Sequence, residues 1–359
     1  MRPSSNGPLV APEHEQCTDL RGHSFENAVN LIKASSNIIV VTGAGISTSL
    51  GIPDFRSPGG LYEQLESEDI GVDEPCDLFR LETFKENPAR FYRLVGRRLL
   101  TPFSADGTPC FTPTHAFIKV LQDRRKLLTN YTQNIDGLEV VAGITNLVQT
   151  HGSITAGRCM RCNKEHKQDF RGLWDQGALP ICSRCAGKEQ QSLARRQQQQ
   201  QHVRNPLAED IDRPKRTSAK RTKYTESEAG VAHVLRPNIT FFDETLPANY
   251  RQRLDADKAK VDLLLVIGTS LEIKPLSKLP LEESIRDKPM IWVNKTVFSG
   301  KAQPEIQLLG DCDAVVGELA RQLGWESDHE MLRGKPVQVE ETEDIDRSIS
   351  LSQQLGRTG

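Results

Sequence analysis

Four cysteines carry the clearest chemistry in the chain. Cys159, Cys162, Cys182 and Cys185 form the pattern Cys-x2-Cys-x19-Cys-x2-Cys. Thiolates are soft ligands, and two such knuckles about 20 residues apart match a tetrahedral zinc ribbon. Four cysteines leave no open coordination position, so the expected zinc is structural and closed. A redox dithiol or an iron–sulfur cluster are the other readings, although a redox motif needs only one pair. His166 lies nearby, but the four cysteines already fill the shell.

Three polar motifs follow short apolar runs. In Gly43-Ala-Gly-Ile-Ser-Thr-Ser-Leu-Gly-Ile-Pro-Asp-Phe-Arg56, Gly43 and Gly45 let backbone approach a phosphate closely, and the turn that follows offers free N–H groups. Thr48 stands where a dinucleotide fingerprint has its third glycine, and no acidic ribose partner is evident about 20 residues on. Asp54 and Arg56 flank Phe55 on a loop that reads as a lid, or as a simple surface ion pair. Thr132-Gln-Asn-Ile-Asp136 offers side chains suited to ribose hydroxyls and a carboxamide. As a bare pattern it is equally a polar loop with an Asn cap. His151-Gly152-Ser153 places an imidazole of ordinary pKa ~6.5 on a turn, which suits a general base, whereas a lone histidine is more often structural. Arg236-Pro-Asn-Ile-Thr-Phe-Phe-Asp-Glu244 reads as core aromatics by default, and its extended start also suits an edge that pairs with a peptide.

The elements that must position these residues are legible from periodicity. Phe25, Ala28, Val29 and Ile32 recur at helical spacing, with Ser24 as a cap. Buried strands are expected at 37–42, 126–132, 261–267 and 290–293, ending respectively in Gly43, Gln133-Asn134, Gly268-Thr269-Ser270 and Asn294. Open parallel sheets bind ligands at that carboxyl edge, and four such ends favour one shared crevice over four ordinary turns. The fold class is α/β: a Rossmann-like parallel sheet with helices on both faces, plus a small four-cysteine zinc-ribbon module.

The 359 residues (40.1 kDa) allow about two domains, or one large domain with an insert. A net charge of −2 excludes a wholesale cationic nucleic-acid binder. No apolar run approaches the roughly 18 residues of a membrane helix. Residues 1–21 have no signal-peptide profile and read as a disordered lead, so the chain is expected inside a cell with reduced thiols. The polar insert at about 186–230, with five glutamines at 197–201 and a basic run at 213–223, is expected to be disordered. The acidic tail 327–359 is expected to have little fixed structure.

Taken in this order, the motifs resemble the sirtuins, NAD-dependent protein lysine deacylases. The resemblance rests on Gly43–Arg56, Gln133–Asp136, His151–Ser153, the four cysteines, Pro237–Glu244, Gly268–Ser270, Val293-Asn294 and Gly310–Asp313. It covers residues 22–326 and looks nearest to the nuclear, histone-directed branch. It implies a catalytic domain over 22–326, with 22–151 and 241–326 as the NAD-binding part and 152–240 as the zinc module with its insert.

The resemblance also implies roles. Gly43, Ala44, Gly45, Ile46 and Ser47 line the diphosphate and nicotinamide side of NAD. Pro53, Asp54, Phe55, Arg56 and Tyr62 belong to the mobile cofactor loop. Gln133 and Asn134 contact the nicotinamide ribose, and Ile135 and Asp136 hold the carboxamide. Gly268, Thr269 and Ser270 meet phosphate and ribose, Asn294, Lys295 and Thr296 the adenosine ribose, and Cys312 the adenine. Thr240, Phe241, Phe242, Asp243 and Glu244 bind the substrate peptide. His151 and Asn134 are the catalytic pair.

In the implied chemistry the acetyl-lysine carbonyl oxygen attacks the anomeric carbon of NAD as nicotinamide leaves. His151 takes a proton from a ribose hydroxyl, and water releases lysine and O-acetyl-ADP-ribose. The implied partners are acetylated peptides of histone-tail type and chromatin-associated proteins, with no membrane and a weak nucleic-acid contact through 213–223. The implied location is the nucleus, with the cytoplasm as alternative. Leu50 replaces a small residue, Asp243 a glycine and Thr240 often a valine, which touches substrate preference more than chemistry. Mono-ADP-ribosyl transfer and a non-catalytic NAD and zinc scaffold are the competing functions.

Overall fold

The computed structural model describes residues 24–66, 68–99, 110–167, 179–187, 233–333, 338–341 and 348–352. The N-terminal lead, nearly all of the polar insert and its basic run lie outside the described residues.

The strands are β1 (Ile38–Thr42), β2 (Leu127–Thr132), β3 (Leu147–Gln149), β4 (Gly152–Cys159), β5 (Glu165–Lys167), β6 (Leu235–Ile239), β7 (Leu263–Ile267), β8 (Met290–Asn294), β9 (Ile306–Leu309), β10 (Gln338–Glu341) and β11 (Ser348–Ser352). Six of them form a parallel sheet in the order β3-β2-β1-β7-β8-β9. The expected α/β class is therefore observed, and the four predicted strands fall within a residue or two of their predicted ends. Every residue of β1 and β7 is buried, which explains why both read as continuous apolar runs instead of alternating ones.

Alternate residues of these strands face opposite cores. Ile38, Val40, Leu263, Leu265, Ile291 and Val293 pack with helices Ser24–Ala34, Pro113–Asp123 and Cys312–Leu323. Ile39, Val41, Leu264, Val266 and Trp292 pack on the other face with helix Ala248–Asp257. The sheet is thus covered on both sides, as a parallel sheet must be. Ser24, expected as a cap, is the first residue of its helix.

A third core belongs to the smaller part of the molecule. β5, β4 and β6 form an antiparallel sheet whose middle strand ends on Cys159. Its apolar residues pack with Ile52, Leu61, Leu65, Phe79, Phe84, Phe91, Leu94 and Leu99. Residues 52–99, which the sequence reading assigned to the sheet part, therefore share their core with the zinc module. The tail also differs from expectation in part. Glu330–Leu332 is a short 3-10 turn, β11 pairs parallel with β9, and β10 pairs antiparallel with β11. No helix among the described residues is long and apolar enough to cross a membrane.

Candidate active site and metal centre

The sheet order changes direction between β1 and β7, because β2 and β3 lie on one side of β1 and β8 and β9 beyond β7. A crevice opens at such a switch point, outside the carboxyl ends of the strands. The two glycine turns meet there. The Gly45 N–H donates to the carbonyl of Gly268 at 2.9 Å. A Cβ on Gly45 would sit 2.8 Å from the Gly268 Cα, and Gly268 itself has φ +63°. Side chains at either position would force the turns apart, so the glycines are required by this close approach of backbones.

Ser47, Asn134 and Asp136 converge from β1 and β2. The Ser47 hydroxyl donates to Asp136 Oδ2 at 2.8 Å and accepts from Asn134 Nδ2 at 3.3 Å. The Leu138 N–H donates to the other Asp136 oxygen at 3.0 Å. Burial raises the Asp136 pKa against these hydrogen bonds, which lower it. Thr132 Oγ1 accepts the Asn134 N–H at 3.0 Å, so the turn is wired internally. Gln133 crosses toward β7, where its Oε1 accepts the Thr269 hydroxyl at 2.5 Å. Asn294 joins from β8 by donating to the Thr269 carbonyl at 2.9 Å. Residues predicted from four separate motifs thus line one edge.

Thr150 follows β3, and its N–H donates to the Thr132 carbonyl, which brings His151 beside the Asn134 turn. His151 Nε2 is buried without a hydrogen-bond partner, and burial lowers the imidazole pKa. A neutral imidazole with an unused ring nitrogen is ready to accept a proton. Its position depends on Gly152, where φ is +77° and an added Cβ would lie 2.0 Å from the Asn238 carbonyl oxygen.

In the loop that follows Gly51, Asp54 and Arg56 do not form the surface ion pair that was one of the two expectations. Asp54 Oδ1 accepts the N–H groups of Arg56 and Ser57 at 2.9 and 2.7 Å. Arg56 pairs with Glu272 at 3.3 Å, not with Asp54. Phe55 packs edge-on against Tyr62 and Phe79, with ring centres 5.8 and 5.4 Å apart. Burial pushes the Tyr62 phenol up to about 12, so it stays neutral.

The Thr240–Glu244 segment is a turn beyond β6 rather than a strand. Phe241 is core, packed on Phe84 and Phe91 with the Arg236 guanidinium 5.0 Å from its ring centre. Glu244 is held by Arg236 through two bonds of 2.6 Å. Asp243 accepts the Leu81 N–H at 2.9 Å at the start of helix Leu81–Glu86, and that bond holds its carboxyl below the usual range. Its carboxylate therefore has a structural partner. Phe242, at 57% exposure, is the large apolar side chain this turn offers to solvent.

The four cysteine sulfurs lie within 4.8 Å of one another. Cys159 to Cys185 is 3.9 Å and Cys162 to Cys182 is 3.8 Å. A tetrahedron with metal–sulfur bonds of about 2.3 Å has edges of about 3.8 Å, so the donor set fits zinc. His166 Nε2 sits 3.3 Å from the Cys182 sulfur, as a neighbour of the thiolate rather than a fifth ligand.

Two residues here escaped the motif reading. Glu139 is fully buried, neither carboxyl oxygen has a hydrogen-bond partner, and burial first, then the Asp136 charge, pushes its pKa up to about 8. Asp313 reaches across to Ser49 and Thr114. Glu139 lies just beyond the Thr132–Asp136 motif and belongs to none. Asp313 lies in a noted motif, but no spacing links it to its partners.

Comparison with known proteins gives one answer. A family model described as "Sir2 family" matches residues 43–275. The chain is 35% identical over 333 residues to the NAD-dependent histone deacetylase SIR2 of Eremothecium gossypii, covering 89% of this chain and 55% of that protein. It is 35% identical to the protein of the same name from Saccharomyces cerevisiae, covering 87% and 53%. It is 33% identical to the NAD-dependent protein deacetylase sirtuin-1 of Rattus norvegicus, covering 92% and 50%. The chain thus spans about half the length of these curated relatives. Among solved structures it resembles a Sir2 variant with a deacetylated p53 peptide and 3′-O-acetyl-ADP-ribose. The TM-score is 0.59 at 21% identity, covering 83% of this chain and 98% of that one, which supports the fold.

Proposed function

The chain belongs to the Sir2 family, and from that premise we propose that it is an NAD-dependent protein lysine deacetylase that releases nicotinamide and O-acetyl-ADP-ribose. The observation that carries this reading is the meeting of Ser47, Asn134 and Asp136 beside a half-buried His151 whose Nε2 is buried without a partner, at the switch point of a parallel sheet.

NAD supplies the electrophilic ribose carbon that takes up the acetyl oxygen as nicotinamide leaves. The residues of the chain bind, orient and move one proton. Gly43–Ser47 and Gly268–Ser270 hold the diphosphate, on two turns whose glycines Gly43, Gly45 and Gly268 let the backbones approach closely. Asn294, Lys295, Thr296 and Cys312 hold the adenosine half. Gln133 and Asn134 address the nicotinamide ribose, and Ile135 and Asp136 the carboxamide. Phe55 and Tyr62, packed against Phe79, exclude water from that ribose. His151, neutral because it is desolvated, accepts the proton of a ribose hydroxyl at Nε2.

The acetyl-lysine peptide lies along the turn after β6, where Thr240 and Phe242 face it while Phe241, Asp243 and Glu244 build the turn. Cys159, Cys162, Cys182 and Cys185 would hold a zinc ion, which would keep the small sheet in place and take no part in the proton transfer. Histone tails are the proposed substrate class, and the nucleus is the proposed location.

The deciding experiment incubates the purified chain with an acetylated histone-tail peptide and NAD and follows all products by mass spectrometry. Equal amounts of deacetylated peptide and O-acetyl-ADP-ribose are expected, and neither in His151→Ala. Nicotinamide release with the peptide still acetylated would overturn the reading in favour of ADP-ribosyl transfer.

A further inference from the structure

Asp313 stands one residue beyond Cys312, in the first turn of helix Cys312–Leu323. Its carboxylate does not cap that helix. Asp311 does so, by accepting the Asp313 N–H at 3.0 Å. Asp313 Oδ1 instead accepts both the N–H of Thr114, at 3.0 Å, and its hydroxyl, at 2.6 Å. Asp313 Oδ2 accepts the hydroxyl of Ser49 at 2.6 Å. Thr114 opens helix Pro113–Asp123, and Ser49 lies in the 3-10 turn Thr48–Leu50 that continues the glycine turn. One carboxylate therefore joins three segments, with Ser49 and Thr114 lying 264 and 199 positions away in the chain.

We propose that Asp313 is a positioning residue for the cofactor: it fixes the Ser47–Leu50 turn from the adenine end of the crevice, and so holds Ser47 where it meets Asp136 and Asn134. The proposal rests on the NAD reading above. The chemistry of the strut suits this task. Charge-assisted bonds of 2.6 Å are short and directional, and a carboxylate at the amino end of helix Pro113–Asp123 is favoured by the exposed N–H groups there. A second fastener acts beside it, where the Thr112 hydroxyl donates to the Ile46 carbonyl at 2.9 Å. Immediately after the turn, Gly51 takes a left-handed conformation at φ +79°, and its N–H donates to the Thr48 carbonyl at 3.0 Å. Between these two points Ser49 is exposed, and its side chain is held by the Asp313 carboxylate. Losing Asp313 loosens the stretch that carries Ser47 at its start while leaving the zinc module and the Thr240–Glu244 turn untouched.

The test measures NAD affinity by calorimetry on the full chain, so it does not depend on turnover. Asp313→Ala is expected to weaken NAD binding about tenfold, the scale of one charge-assisted hydrogen bond, with the affinity for acetylated peptide, read by the same calorimetry, within about twofold of wild type. Ser49→Ala should weaken NAD binding less, and adding it to Asp313→Ala should weaken it no further, because both remove the same link. Asp313→Asn keeps one acceptor and should fall between. Should Asp313→Ala fail to fold, Ser49→Ala and Asp313→Asn carry the test. An unchanged NAD affinity overturns the proposal, as does simple additivity of the Ser49 and Asp313 effects, or a parallel loss of NAD affinity, peptide affinity and Tm. A wild type that binds NAD without deacetylating overturns the proposed reaction and leaves the affinity comparison standing. One that binds no NAD overturns both.

Discussion

The Ser47 hydroxyl and the Asp136 carboxylate, 89 residues apart in the chain, meet at 2.8 Å inside the protein. The contact joins the first glycine turn to the turn after β2, and through Asn134 Nδ2 it sets the amide that faces the proposed ribose site. Ser47→Ala removes a donor to a buried carboxylate, an interaction worth roughly 1.5–3 kcal/mol. The expected result is a fall in kcat/KM for NAD of about ten- to a hundredfold with the fold retained. Steady-state kinetics and circular dichroism on the same sample check it.

Gly152 admits no side chain. At φ +77° with the Asn238 carbonyl 2.0 Å from an ideal Cβ, Gly152→Ala must shift β4 against β6. The expected cost exceeds about 3 kcal/mol, in the range reserved for backbone clashes and strain. Urea unfolding should show it, and any folded fraction should lack His151-dependent activity.

His151 sets the acid limb of activity. Burial lowers its pKa below the ordinary ~6.5, so the imidazole stays neutral at pH values where an exposed histidine would be charged. The midpoint of the acid limb of kcat/KM should lie below pH 6.5. The same shift acts on stability. The unfolded chain binds the extra proton first, so this contribution is present above the unfolded pKa and lost as pH falls through the folded one. His151→Gln should reduce the acid dependence of Tm.

Glu139 acts with the opposite sign. Its carboxyl is pushed up to about 8, so the folded protein holds a proton that the unfolded chain has already released. Stability from this group is full below the unfolded pKa near 4.3 and declines as pH rises toward 8. Glu139→Gln keeps the shape and removes the titration. Its gain in Tm over wild type should be larger at pH 8 than at pH 4.

Metal removal should act on the small core first. Cys159, Cys182 and Cys185 are buried in the same cluster as Phe84, Phe91 and Phe241. Four thiolates without a cation repel one another, so a strong chelator or Cys182→Ser should melt this part. Near-ultraviolet circular dichroism should change, NAD affinity should drop less than peptide affinity, and added zinc should restore both in the wild type alone.

The sequence by itself determined the parallel sheet, the four-cysteine site and the list of polar turns. These are local properties: apolar runs mark buried strands, ligand spacing marks a metal knuckle, and glycines mark close turns. It did not determine which of those side chains serve the fold. Phe241, Asp243 and Glu244 read as core or as peptide contacts, and their partners Phe84, Leu81 and Arg236, on the helical segment and on β6, show up only in space. An Asp54–Arg56 ion pair was the alternative to a lid, and Glu272, 216 positions away, takes Arg56 instead. Tertiary structure alone decided these matters, and also the shared core of residues 52–99 with the cysteine sheet and the burial that drives His151 and Glu139 in opposite senses. The physical reason is common to all of them. Hydrogen-bond partners and desolvation are set by what lies nearby in space, and chain spacing fixes that only within a turn or a strand.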